Sequence, residues 1–251
     1  MEDKIEQLQK IIDDAKHVVF FTGAGVSTDS GIPDFRSQDG LYHQKYKYPP
    51  EEIISHSFFE ERTEEFFDFY RDRMLYLDAQ PNEVHQFIAD LEKAKKSLGV
   101  VTQNIDGLHQ KAGSQKVYEL HGSVMRNYCE KCRKFFPAEY IKNSTGVPHC
   151  DACGGIIKPD VVLYEEGLSE PVVRGAVAAI QSADVLIVAG TSLVVYPAAG
   201  FLRYFGGKHL VLINRDATSF DGDADLIIHA SLPAVGMTSL VDCPILTSSF
   251  G

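Results

Sequence analysis

The stretch that decides the fold begins Val18-Val19-Phe20-Phe21 and runs on through Gly23-Ala24-Gly25-Val26-Ser27-Thr28-Asp29-Ser30-Gly31-Ile32-Pro33-Asp34-Phe35-Arg36. Four consecutive apolar residues predict a buried strand. A glycine-rich turn straight after such a strand is where an α/β protein holds a nucleotide phosphate. The turn departs from the dinucleotide fingerprint G-x-G-x-x-G, because Gly23 and Gly25 match but Thr28 takes the third place. The loop then closes on an acid, an aromatic and a base, Asp34-Phe35-Arg36. A cofactor held there is expected to be gripped and chemically handled.

Working outward, Ile5, Leu8, Ile11, Ile12 and Ala15 share one face of a helix over 4–15. Apolar and charged groups at helical spacing predict a helix over 58–77, and Pro81 opens another that runs to about Gly99. Short apolar runs follow at 100–102, 117–120, 161–164, 185–188, 210–213 and 226–228, several separated by helix-length segments such as 170–181 and 197–205. Continuous apolar strands alternating with helices mean a parallel sheet covered on both faces. Polar turns follow five strands, at Gly23, Gln103, His121, Gly190 and Asn214. Ligands of open α/β sheets bind beyond the carboxyl ends of the strands, so one ligand can touch all five turns.

The chain of 251 residues carries a net charge of −11, with 44% hydrophobic and 24% charged residues. These totals suit one large globular domain or two small ones. The acidic balance argues against a nucleic-acid partner, and Lys131, Arg133 and Lys134 form only a small basic group. It is compatible with a basic peptide partner. No apolar run approaches the ~20 residues that span a bilayer, so no membrane partner is expected. No signal peptide is visible at Met1-Glu2-Asp3-Lys4, and a cytoplasmic location is expected.

Four of the five cysteines read Cys129-x-x-Cys132 and Cys150-x-x-Cys153, with seventeen residues between the pairs. This spacing predicts one tetrahedral zinc ion. Four thiolates leave no open coordination position, so the metal is expected to be structural. A redox pair or a disulfide framework explains two such pairs poorly. His149 adjoins Cys150 but is not needed as a ligand, and Cys243 reads as a small core residue.

Taken in order, GAGVSTDSGIPDFR, TQNIDGLH (102–109), ELHG (119–122), the two cysteine pairs, GTSLVVYPA (190–198) and LIN (212–214) resemble the sirtuins of the bacterial type, NAD-dependent protein lysine deacylases. The resemblance covers nearly the whole chain, and the ordered set is far more specific than any one motif. It implies a Rossmann-type parallel sheet that binds NAD, at about 1–36, 79–122 and 158–251. It also implies a smaller unit assembled from a helical insertion, about 37–78, and a zinc module, about 123–157. NAD and an acyl-lysine protein or peptide would meet in the cleft between them.

On that resemblance, Gly23, Ala24 and Gly25 let backbone approach the pyrophosphate, while Ser27, Thr28 and Arg36 supply hydrogen bonds and charge. Phe35 covers the nicotinamide, and Asp34 orients Arg36 or a ribose. Gln103 and Asn104 hold the ribose and a water, while Ile105 and Asp106 face the nicotinamide, with Asp106 on its carboxamide. Gly190, Thr191, Ser192, Asn214, Arg215 and Ser231 contact the adenosine. His121 is the expected catalytic base, with Asn104 and Asp106 beside it, since an imidazole titrates near working pH. NAD is consumed: the acyl oxygen attacks the ribose carbon, nicotinamide leaves, a ribose hydroxyl attacks the bound imidate, and water completes the release of free lysine and acylated ADP-ribose. His17, His43, His56, His85, His109, His209 and His229 are assigned to structure or surface.

Val161, Val162, Leu163 and Tyr164 match the peptide-binding strand. Tyr164 and Glu165 replace the Phe-Gly that sirtuins commonly carry there, which bears on how closely a substrate backbone approaches. Tyr70 and Arg73 lie three apart on a predicted helix. They resemble the Tyr-x-x-Arg pair with which some sirtuins accept acidic acyl groups such as succinyl. The rival readings are ADP-ribosyl transfer to a protein or NAD hydrolysis in the same site, and a non-catalytic NAD sensor.

Overall fold

The computed structural model describes residues 1–35, 40 and 46–236; Arg36, His43 and Cys243 lie outside the described residues. The strands are β1 (Val18–Thr22), β2 (Ser97–Thr102), β3 (Val117–Glu119), β4 (Gly122–Cys129), β5 (Phe135–Pro137), β6 (Ile157–Val161), β7 (Val185–Ala189), β8 (His209–Asn214) and β9 (Leu226–His229). The α-helices are α1 (Glu2–Asp14), α2 (Pro50–Ile53), α3 (His56–Glu61), α4 (Thr63–Arg73), α5 (Glu83–Lys93), α6 (Leu108–Ala112), α7 (Ala138–Lys142), α8 (Glu170–Ser182) and α9 (Leu232–Val235). Among the described residues no helix is long and apolar enough to cross a membrane.

Six strands form one parallel sheet in the order β3-β2-β1-β7-β8-β9. Every residue of β1 is buried, as the apolar run required. Val18 and Phe20 face a core shared with Leu8, Phe87 and Ile88, while Val19 and Phe21 face one shared with Ala176, Ile180 and Leu186. Chain order reverses between β1 and β7, so the turns leaving these two strands flank the crevice of the sheet.

A second sheet, antiparallel and ordered β5-β4-β6, stands beside the first. Its core is continuous with that of the helical insertion. Phe58, Phe59, Phe66, Phe67 and Tyr70 cluster with Val124, Phe136, Ile141 and Ile157. Burying one such aromatic contributes about 1.5–3 kcal/mol, so this cluster gives the smaller unit a core of its own. The boundary expected between 157 and 158 falls at the head of β6, and the core reaches Val161 and Leu163.

The helical expectations are corrected at three places. The 58–77 segment is two helices broken at Arg62, and it ends at Arg73. The Thr63 hydroxyl donates to the Phe59 carbonyl at 2.8 Å, competing with the helical backbone bond there. The helix expected from Pro81 to Gly99 is only Glu83–Lys93, capped by the Asn82 side chain, and Gly99 lies inside β2. Gly99 has φ +123°, and a Cβ there would run into the Lys116 carbonyl. The segment expected at 197–205 is a short 3₁₀ helix, Ala198–Tyr204. The apolar run at 161–164 also leaves the parallel sheet: its first residue ends β6, where Val161 pairs with Gly122 of β4.

Candidate active site

A cleft of about 650 Å³ lies beyond the carboxyl ends of the parallel strands and reaches the smaller unit. All the expected cofactor, catalytic and substrate residues line it except Arg36, which is not described. The five polar turns do converge on one ligand-sized space.

The floor is set by backbone contact. Gly25 N–H donates to the Gly190 carbonyl at 2.8 Å. A Cβ at Gly25 would lie 2.8 Å from Gly190 Cα, and one at Gly23 would lie 2.7 Å from Thr191 Cβ. The glycines are therefore required first by the close approach of two turns, and the exposed backbone follows from that. Gln103 Nε2 donates to Thr191 Oγ1 at 2.9 Å, which ties in the third turn.

His121 follows β3 and precedes β4. Its Nδ1 lies 3.0 Å from the Gln103 carbonyl. A carbonyl only accepts, so Nδ1 carries the proton and Nε2 keeps the lone pair. Burial lowers its pKa below 6.5, against a smaller upward effect of that hydrogen bond. The imidazole is thus a neutral base at neutral pH. His121 O also accepts Val162 N–H at 3.0 Å, which joins this residue to the expected peptide strand.

Ser27 is buried, and its Oγ donates to Asp106 Oδ2 at 2.6 Å and accepts from Asn104 Nδ2 at 3.1 Å. Asp106 Oδ1 accepts Leu108 N–H at 2.9 Å. Burial pushes the Asp106 carboxyl upward, with Ser27 and Leu108 opposing and Glu119 adding to the rise. Thr28 donates back to the Gly25 carbonyl. Phe35 lines the cleft while packing on the aromatic core of the smaller unit.

Several links were not legible in the sequence. Asp34 pairs with Arg215 at 2.9 Å, across 181 positions, so the loop after β1 is tied to the turn after β8. The expected partner of Asp34, Arg36, lies outside the described residues. Below the floor, the His85 and His109 rings meet tilted, with centroids 4.8 Å apart, and reach Ser27 and Thr22. Their only sequence signal is two histidines at the buried faces of amphipathic helices.

The expected substrate loop is anchored by the segment that joins α2 and α3. Tyr164 N–H donates to the Ile54 carbonyl, and His56 N–H donates to the Tyr164 carbonyl, each at 3.0 Å. Glu165 has φ +76°, a left-handed conformation that favours glycine. Its carboxylate turns to the start of α3, accepting Ser57 N–H at 2.9 Å and the Ser57 hydroxyl at 3.0 Å. Glu166 accepts from His56, Lys158 and Leu163 N–H. Tyr70 is buried in the cleft wall, and its hydroxyl has no hydrogen-bond partner among the described residues. Arg73 also lines the cleft, beside Asp72 and over the Tyr46 ring.

The cysteines gather away from the cleft, and their sulfurs all lie within 4.8 Å of one another. Cys129–Cys153 and Cys132–Cys150 are 3.4 and 3.6 Å apart. A tetrahedron with Zn–S near 2.3 Å has edges of about 3.8 Å, so the donor set fits zinc. Gly155 completes the cradle, since a Cβ there would lie 2.9 Å from Cys129 Sγ. His149 turns its Nδ1 to the Gly154 carbonyl and stays outside the cluster.

A profile of the Sir2 family matches residues 23–197. An NAD-dependent protein deacetylase of Clostridium acetobutylicum is 58% identical over 236 residues, covering 93% of this chain and 96% of the relative. A solved Sir2 variant with a deacetylated p53 peptide and 3′-O-acetyl ADP ribose superposes with TM-score 0.85 at 38% identity, covering 94% of this chain and 96% of that one. A Sir2 structure with p53 peptide and NAD⁺ gives 0.83 at 38% identity, covering 95% and 97%.

Two outcomes are expected. Gly25→Ala places a methyl against backbone that cannot yield and costs about 1–3 kcal/mol. Its Tm, read by calorimetry, drops by several degrees, whereas Gly206→Ala, where a Cβ meets nothing within 4 Å, leaves Tm nearly unchanged. Strong chelation exposes four titratable thiols and lowers Tm, and zinc addition restores both; thiol titration alongside circular dichroism checks this.

Proposed function

The chain belongs to the Sir2 family, and from that premise we propose that it is an NAD-dependent protein lysine deacylase that moves the acyl group of a modified lysine onto ADP-ribose. The observation that carries the reading is His121, a half-buried imidazole with its proton fixed on Nδ1 and its basic Nε2 left for the cleft. NAD, when bound, supplies the ribose carbon that takes the acyl oxygen and the nicotinamide that leaves.

The residues divide the work. His121 Nε2 takes the proton from a ribose hydroxyl, which is the step a neutral base of lowered pKa performs well at neutral pH. Asp106, held by Ser27 and Leu108 N–H, receives the nicotinamide carboxamide. Asn104, fixed by Ser27, orients the ribose and a water. Phe35 covers the site and excludes solvent. Gly23–Gly25 offer backbone to the pyrophosphate, and Arg36 adds charge there. The turns at Gly190–Ser192, Asn214–Arg215 and Ser231 hold the adenosine end.

The substrate peptide runs along Val161–Tyr164, between the NAD-binding unit (about 1–36, 79–122, 158–251) and the smaller one (about 37–78, 123–157). One structural zinc sits on Cys129, Cys132, Cys150 and Cys153. The partner is an acyl-lysine protein, not nucleic acid or a membrane, in keeping with a net charge of −11. The four free thiols suit the cytoplasm, where thiols stay reduced.

The decisive assay incubates the protein with NAD and acetyl-lysine peptide and identifies products by mass spectrometry. Free lysine with acylated ADP-ribose is expected; a modified protein or plain ADP-ribose means transfer or hydrolysis instead. His121→Gln lowers kcat/KM at least 100-fold with Tm within a few degrees of the parent. In the parent, kcat/KM rises with pH through a step below 6.5, because the protonated imidazole cannot act as the base.

One observation favours a second acyl class. Tyr70 presents a buried hydroxyl without a partner on the cleft wall, and Arg73 stands on the same wall. A carboxylate at the end of an acyl chain would satisfy both. Succinyl-lysine peptide is therefore expected to turn over, with Tyr70→Phe and Arg73→Met each lowering succinyl kcat/KM at least tenfold and acetyl kcat/KM far less. Absence of succinyl turnover by the parent removes this preference and leaves the deacetylase reading intact.

A further inference from the structure

Ser27, on which both Asn104 and Asp106 depend, also has a third neighbour that the reaction has not used. His85 Nε2 lies 3.5 Å from Ser27 Oγ. His85 is fully buried on α5, one turn into the helix that Asn82 caps. Its Nδ1 lies 3.3 Å from Asn82 N and 3.0 Å from Asn82 Oδ1.

Hydrogen counting allows two arrangements in which His85 and Ser27 share a hydrogen bond. Ser27 has one hydroxyl hydrogen, and the 2.6 Å contact with an ionised Asp106 uses it. Asn104 Nδ2 donates into one Ser27 lone pair. His85 can then face Ser27 only as an Nε2–H donor, with Nδ1 accepting Asn82 N–H. In the other arrangement Nδ1–H donates to Asn82 Oδ1 and Nε2 is bare. The Ser27 hydrogen then turns to His85, and the short contact with Asp106 requires a protonated carboxyl. The His85 tautomer and the charge on Asp106 are thus linked through a single hydroxyl. Leu108 N–H, donating to the other Asp106 oxygen, favours the ionised form and with it the first arrangement.

We propose that His85 is a positioning residue of the reaction: held as its Nε2–H tautomer, it aims the Ser27 hydroxyl at Asp106 and keeps that carboxylate ionised for the nicotinamide carboxamide. This rests on the deacylase reading given above. His85 acts through its tautomer and not its charge, because burial pushes its pKa down to about 4. The titratable groups facing the network are His109, pushed down to about 3 by burial and by His85, Glu119, and His121, which lines the same cleft. His109 is held by Thr22 Oγ1 at 3.1 Å, so it packs on His85 without reaching Ser27 in its place.

Two amide variants separate the ring nitrogens. A glutamine amide reaches the place of Nε2, so His85→Gln keeps a donor on Ser27. An asparagine amide reaches only the place of Nδ1, so His85→Asn keeps the helix cap and loses that donor. With nicotinamide as an inhibitor of the full-length enzyme, His85→Asn is expected to raise Ki about tenfold at pH 6, as protonation of about nine in ten Asp106 carboxyls would. The defect narrows as pH rises to 8, and His85→Gln stays near the parent at both. A merely structural role changes both variants alike at all pH values, and that result overturns the proposal. Should either variant fail to fold, ¹⁵N NMR of the ring in the parent decides: a proton on Nε2 supports the proposal and a proton on Nδ1 overturns it. The ring measurement needs no activity, so a parent without deacylase activity counts against the function and not against the tautomer.

Discussion

The molecule depends on the contact between the turns that leave β1 and β7. Two peptide backbones meet there with no room for a methyl between Gly25 and Gly190. This is where the order of the parallel sheet reverses, and the crevice opened by that reversal is where turns from both halves can reach one ligand. Side chains on the glycines would push the halves apart and uncouple Gln103 from Thr191. The third glycine of the dinucleotide fingerprint is dispensable because the chain does not continue as one long helix after the turn. It makes two short 3₁₀ segments, Ala24–Val26 and Thr28–Ser30. These leave Ser27 between them, pointing inward, which a regular helix start would not provide.

Around that contact the site stores polar groups below the cleft floor. Ser27, Thr22, Asn104, His85 and His109 are all buried, and a buried polar group without a partner costs about 1–3 kcal/mol. Most are paired with one another, so the loops that carry them cannot shift independently. His109 Nδ1 is left without a partner among the described residues. A cofactor that must be broken, not only bound, needs its reacting groups held before it arrives. The paired layer supplies that rigidity.

What the sequence made legible was local. The buried strand, the glycine turn, the polar strand ends and the cysteine spacing each lie within one short segment, and each landed where expected. The misses were long-range or competitive. No pattern near Asp34 announces a partner 181 positions away in Arg215. His85 and His109 occupy apolar helix faces, where a histidine resembles any core residue until its neighbour is known. The break at Arg62 is one residue leaving helical backbone angles beside the Thr63–Phe59 bond, a change too local for periodicity to register. The 161–164 run carried a true β signal, but its partner was β4 of the small sheet and not a strand of the large one.

The zinc cluster looks remote from the chemistry, yet the strands connect them. β4 begins at Gly122, next to His121, and ends at Cys129, a metal ligand. β6 begins at Ile157, paired with Cys129, and ends at Val161, paired with Gly122. An eight-residue strand spans about 25 Å, so the four cysteines hold one end of a two-stranded bar whose other end carries His121 and the segment that follows Val161. The bar is also fixed at mid-length. Arg126 binds Asp160 on β6 at 2.8 Å and Glu119 on the large sheet at 2.6 Å. Loosening the cysteine end would free the pairing of Cys129 with Ile157 but leave Arg126 and the Val162–His121 bond in place. The cysteine end and the His121 end of the bar are thus held by separate contacts along one pair of strands.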